Sequence, residues 1–72
     1  MADVRKLKGK IVEKGETISR VAKGIGVNPA TFYRKLQQNG EMFTIREADA
    51  IVRYLGLNED EAVSIFFSSD VA

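Results

Sequence analysis

Apolar residues recur along this chain at helical rather than strand spacing, and turn residues cut the pattern into five segments. In the first, over about 4–14, Val4, Leu7 and Ile11 stand at i, i+3 and i+7, a core-facing stripe that Val12 is expected to widen. Asp3 is placed to cap this helix and Gly15 to end it. Gly9 inside it costs about 1 kcal/mol relative to Ala, and close approach of another helix is the expected reason. In the second segment, over about 18–25, Thr17 can cap and Val21, Ala22 and Ile25 form one apolar face. Gly26 stands where that helix should end, and Val27 offers an apolar plug in the turn. Asn28 and Pro29 then open a third helix over about 29–38, the Asn as N-cap and the Pro at the first helical position, where its missing N–H costs nothing. Phe32 and Leu36, one turn apart, give it a buried side and leave Ala30, Thr31, Tyr33, Arg34 and Gln37 outside.

Asn39-Gly40 breaks the chain, and Glu41-Met42-Phe43 is a short connection with Phe43 expected to be buried. Thr44-Ile45-Arg46-Glu47 is a capping box that starts a fourth helix, with Ile45, Ala48, Ile51, Val52 and Leu55 along one face. Gly56 stops it, and Leu57 is expected to clip its end to the core. A fifth helix is expected to begin at Asn58 with Glu59, Asp60 and Glu61, three acids that complement the helix N-terminus. Ala62, Val63, Ile65, Phe66 and Phe67 are more apolar surface than one face of a short helix needs. Either Ile65 and Phe66 complete the core with Phe67 partly exposed, or this end supplies the dimer contacts Ile65, Phe66 and Phe67.

The stretch TISRVAKGIGVNPATFYRKLQQ, with Thr17 at the first cap, Val21 and Ala22 inside, Ile25-Gly26-Val27 across the turn and Asn28-Pro29-Ala30-Thr31-Phe32 entering the next helix, resembles the helix-turn-helix of Cro/lambda-repressor-type regulators, which are common in bacteria, bacteriophages and mobile elements. The resemblance runs from LKGKIVEKG to IREADAIVRYLGL, nearly the whole chain. It implies an all-α fold, a compact five-helix lambda-repressor-like bundle with the helix-turn-helix at helices 2 and 3, in one domain over 1–72. Two positions depart from the family pattern. Gly24 sits where a helix former is usual, and Lys35 where many members carry an apolar residue; Leu36 can take over that packing if the helix rotates slightly.

Seventy-two residues allow one small domain, and 44% hydrophobic with 29% charged residues is ordinary for a globular chain. With no Cys and no His, a thiolate metal site, a disulfide and the commonest general base are all excluded, and no metal or cofactor is expected. No apolar run approaches membrane-spanning length and the start, MADVRKLKGK, lacks a signal-peptide core, so a cytoplasmic location is expected, without membrane or small-molecule partners. The net charge of +1 hides a polarity: residues 1–40 hold nine Lys/Arg against three Asp/Glu, and residues 41–72 hold two against seven. The basic half is also the half with the motif, a division suited to a polyanion on one face.

The resemblance implies that helix 3 enters the major groove of double-stranded DNA by its N-terminal end. Thr17, Asn28, Pro29, Ala30, Thr31, Tyr33, Arg34, Lys35 and Gln37 are then the expected DNA-facing set. Arg34 is the strongest base reader, because a guanidinium fork can bond both acceptors of a guanine. Ala30 suits a thymine methyl, Thr31 a phosphate or base edge, Tyr33 a phosphate or sugar, and Gln37 either base or backbone. Asn28 would cap the helix and reach a phosphate, while Lys35, Lys10, Lys14, Arg20 and Lys23 would attract phosphates irrespective of sequence. Each has a plainer reading: Thr31 serving only its own first turn, Tyr33 packing on Gln37, Arg34 and Lys35 as solvent-facing helix formers. The paired acids Glu47 with Asp49, and Glu59 with Asp60 and Glu61, stand in helix first turns without a nucleophile, which argues against an enzyme. Gly24-Ile25-Gly26 has neither the preceding strand nor the Gly-Lys-Ser/Thr of a phosphate loop. The expected function is a transcriptional regulator of phage or mobile-element repressor type, acting alone or as a homodimer. The alternative is a protein-interaction module, antirepressor or adaptor, that works through the acidic, apolar C-terminal helix.

Overall fold

The caps written into the sequence set the frame of the molecule, whose computed structural model describes residues 2–38 and 43–67. Five helices follow one another: α1 Val4–Glu13, α2 Ile18–Gly24, α3 Pro29–Gln37, α4 Ile45–Leu55 and α5 Glu59–Phe66, with no strand among the described residues. The first four begin at caps expected from the sequence, and α5 begins one residue after its expected start, with Asn58 as its cap. Asp3, Thr17 and Asn28 accept from the backbone N–H of Lys6, Arg20 and Ala30, at 3.1, 3.1 and 2.8 Å. The Thr44–Glu47 capping box is formed in both directions at 3.0 Å. Asn58 and Glu61 form a second one, at 2.8 and 2.9 Å, so Glu61 does more than complement the helix dipole. Helices 1 to 3 end one residue earlier than expected, with Lys14, Ile25 and Gln38 as C-caps. The Asn39-Gly40 break and the Glu41-Met42 connection lie outside the described residues.

One core runs through all five helices. Leu7 and Ile11 of α1, Val21 and Ala22 of α2, Phe32 and Leu36 of α3, Ile51 and Leu55 of α4, and Ile65 and Phe66 of α5 are buried, with Leu57 closing the end of α4. Phe43 is half-buried, its ring 5.5 Å from Phe32 and 6.5 Å from Phe66, so it seats α3 against α5. No charged or polar residue is fully buried among the described residues. Apolar burial is therefore the main drive for closure, at about 1.5–3 kcal/mol for each large side chain removed from water.

Two expected core positions are solvent-facing instead. Val12 is 75% and Ile45 87% exposed, because each stands about 100° or more round its helix from the buried line of its neighbours. In α5 the same geometry buries Ile65 and Phe66 and leaves Phe67 70% and Val63 49% exposed. Ile65 and Phe66 complete the core: Ile65 is closed to a dimer contact, Phe66 reaches the surface only where it lines the α4–α5 groove, and of that set only Phe67 faces outward. The reason expected for Gly9 also fails, since a methyl group there would meet nothing within 4 Å.

The close approach occurs at Gly24. The Tyr54 ring of α4 lies directly over it, where any Cβ would overlap the ring, and the Tyr54 hydroxyl donates to Glu16 Oε1 at 3.2 Å. The departure from the family pattern at position 24 is thus the seat for an aromatic side chain that clamps α4 to the end of α2. Desolvation there, together with the Glu16 contact, pushes the Tyr54 phenol above its ordinary pKa.

Candidate nucleic-acid interface

The helix-turn-helix is built from local chemistry. Gly26 has φ 79°, the left-handed conformation that glycine takes without a Cβ clash. The turn then folds back on itself: Gly26 N–H donates to Lys23 O at 3.1 Å and Val27 N–H to Ala22 O at 2.8 Å, a Schellman closure. Val27 packs on the core as the plug, and Asn28 starts α3 at once. Chain direction therefore changes between two helices over Ile25–Asn28 with the N–H groups of Ile25, Gly26 and Val27 all bonded.

Phe32 and Leu36 hold α3 by its back. At about 100° per residue, Arg34 lies opposite the midpoint between them, with Ala30, Gln37 and Gln38 within about 60° of it. All four are exposed. Tyr33 stands at one edge of this face, 49% exposed, and Thr31 is half-buried nearer the other. Pro29 is half-buried at the first helical position, and the exposed Asn28 side chain is engaged as cap. Gln38, the C-cap of α3, belongs with the outward row but was not among the expected residues.

The cations divide into two groups. Lys14, Arg20 and Lys23 are exposed, and Arg20 Nη1 also donates to Gly15 O at 3.4 Å. Lys10 and Lys35 are committed elsewhere. Lys10 is bonded to Glu61 across the α1–α5 groove and to Glu13, and that pairing with Glu61 raises its pKa. Lys35 Nζ donates to both carboxylate oxygens of Glu47 at 2.7 Å, and both side chains are only 17% exposed. Position 35 faces α4, not outward. The family's apolar contact is replaced there by an ion pair, and the expected DNA-facing role of Lys35, like the phosphate role of Lys10, gives way to ties within the bundle. Thr17 caps α2 at the same end as Arg20.

These ties have a pH signature. Burial alone would raise the Glu47 carboxyl, but the Lys35 ammonium and the Thr44 N–H outweigh it and hold the group below its ordinary 4.5. Glu61 is lowered as well, first by Lys10 and then by the Asn58 N–H. A carboxyl depressed in the folded state contributes stability above its unfolded pKa and loses it as pH falls through the folded value. The thermal midpoint should therefore fall as the medium is acidified below about pH 4.5, and an E47Q/E61Q double variant should show a flatter acid limb. An acid limb as steep in that variant as in the wild type would place the sensitivity on other carboxylates.

Residues 6–67 match the family described as the Cro/C1-type HTH DNA-binding domain. The chain belongs to that family. The Cro/C1-type assignment fits the five helices and the Gly26 turn, and makes this a binding domain for double-stranded DNA in a family of DNA binders rather than catalysts. No curated protein and no solved structure matches the chain significantly. No described helix is long and apolar enough to cross a membrane. No group of three or more acids among the described residues is placed to hold a metal ion.

Proposed function

We propose that this Cro/C1-type domain is a sequence-specific transcriptional regulator of phage or mobile-element repressor type, which lays α3 in the major groove. The observation that carries this reading is the outward row Ala30, Arg34, Gln37, set opposite the buried pair Phe32 and Leu36 on a helix whose start is fixed by Asn28 and Pro29. Arg34 reads a guanine, Gln37 a neighbouring base or the backbone, and Ala30 a thymine methyl. Thr31, Tyr33 and the Asn28 and Thr17 caps stand toward the phosphates and fix register, and Lys14, Arg20 and Lys23 supply attraction without sequence information. The chain acts as one domain, in the cytoplasm where its DNA is.

A second surface supports self-association as the way two half-sites are read. Between α4 and α5 an apolar groove of about 690 Å³ is lined by Phe43, Ile45, Ala48, Val52, Phe66 and Phe67. The exposed Ile45 and Phe67 side chains suit burial against a second copy. The same groove favours the alternative reading, a module that binds a partner protein.

The deciding experiment is a salt titration of binding to a random duplex and to fragments upstream of the protein's own gene. A regulator binds one upstream fragment far more tightly than the random duplex, with affinity falling steeply as salt rises. Equal or absent binding at low salt would sink this reading and turn attention to a protein partner at the α4–α5 groove.

A further inference from the structure

The geometry points to Glu47, a residue of α4 outside the outward row of α3, as the positioning residue that sets the angle at which α3 meets DNA; this rests on the DNA-reading function proposed above. The Glu47 carboxylate is shared between two helices. Oε1 accepts the Thr44 N–H at 3.0 Å, fixing the start of α4, and both oxygens accept from Lys35 Nζ at 2.7 Å. The Thr44 hydroxyl accepts the Glu47 N–H in return, so the backbone and side chain of Glu47 are both held. Lys35 follows Arg34 directly and lies on the flank of α3, about 80° round from the buried line of Phe32 and Leu36.

Phe32 and Leu36 anchor α3 along its back, a contact that is apolar and without direction. Rotation of the helix about its own axis shifts Arg34 sideways while leaving much of that contact intact. A two-oxygen grip on one flank opposes such rotation, because it is directional and partly sheltered from water. The acid that holds Lys35 is itself locked by its own capping box, so the grip is referred to the backbone of α4 rather than to a freely moving side chain. Lys35 is thereby a positioning cation and not a phosphate contact.

Glu47→Gln is the informative change, because a Gln can still accept the Thr44 N–H and keep the cap while removing the charge and one of the two oxygens that hold the ammonium. It also makes the protein more positive, which favours any DNA. Binding of wild type, E47Q, K35R and K35M to the preferred fragment and to a random duplex should be compared below the melting temperature of each. Expected is a specific-to-random affinity ratio lowered by about tenfold in E47Q, the scale of one impaired bidentate base contact, with random-duplex affinity unchanged or higher. K35R, which keeps the cation, should hold the ratio, and K35M should lower it. An E47Q ratio within about twofold of wild type would overturn the assignment. So would a K35M variant that weakens both duplexes equally and flattens the salt slope by about one, the mark of a phosphate contact. Wild type that does not discriminate between the duplexes would instead overturn the DNA-reading function, and this role with it.

Discussion

Replacing Phe32 with Ala should leave about half or more of the protein unfolded at room temperature. The side chain is fully buried, reaches Phe43 at 5.5 Å between ring centroids, and is the largest of the fully buried residues. Truncating such a Phe costs about 3–5 kcal/mol, from lost transfer energy and from the cavity left behind. A single core of this size supplies about 3–5 kcal/mol of net stability, so the loss consumes the margin. Nor can the site collapse easily: Phe32 sits on a helix tied at its start by Asn28 and at its flank by Glu47, which limits how far α3 can move inward. Helical circular dichroism and a thermal melt read the outcome. A cooperative melt near the wild-type midpoint would mean that the surrounding residues refill the space, contrary to the packing described here.

Arg34→Ala should do the opposite, sparing the fold and sharply lowering the preference for the operator. Arg34 is exposed and has no acidic partner among the described residues, and such surface changes shift stability by less than about 0.5 kcal/mol. On DNA the loss of a bidentate guanine contact costs about 1–3 kcal/mol, roughly five- to a hundredfold in affinity for the preferred site. Random-duplex binding should fall much less. Lys23→Ala serves as the contrast, since loss of a phosphate contact weakens both duplexes alike and lowers the salt slope by about one. Unchanged operator preference in R34A, with an unchanged melt, would remove Arg34 from the reading face. If partner-protein binding persisted while R34A and wild type bound DNA alike, the α4–α5 groove would be the working surface.

The order of helices was legible because each boundary is encoded within a few residues. Asp3, Thr17, Asn28, Thr44 and Asn58 cap, Pro29 opens, and Gly26 and Gly56 close, and none of these depends on distant parts of the chain. The outward row on α3 was legible for the same reason, since Phe32 and Leu36 fix the helix phase. What escaped were pairings between helices. Lys35 reads as a surface cation until Glu47 is seen beside it, and Gly24 reads as a defect in α2 until Tyr54 fills its place. Val12 and Ile45 were assigned inward because periodicity gives the direction of an apolar face but not its width. That width is set by which helix packs alongside, and neither residue has one over it. The second capping box is a different kind of omission: Asn58 and Glu61 stand at the required spacing, and reading the three acids as a charge effect alone obscured it.

The backbone N–H of Asp3 donates to the carbonyl of Ile65 at 2.6 Å, so the entry to the first helix and the exit from the last are laced together. Anything joined before Asp3 or after Phe67 consequently departs from one shared corner, beside the α4–α5 groove. For protein engineering this makes the domain behave like a bead with a single eyelet. Copies strung in tandem through short linkers would have to bring each new neighbour past Phe67, whereas labels attached at Asp3 and Phe67 would report on nearly the same point in space.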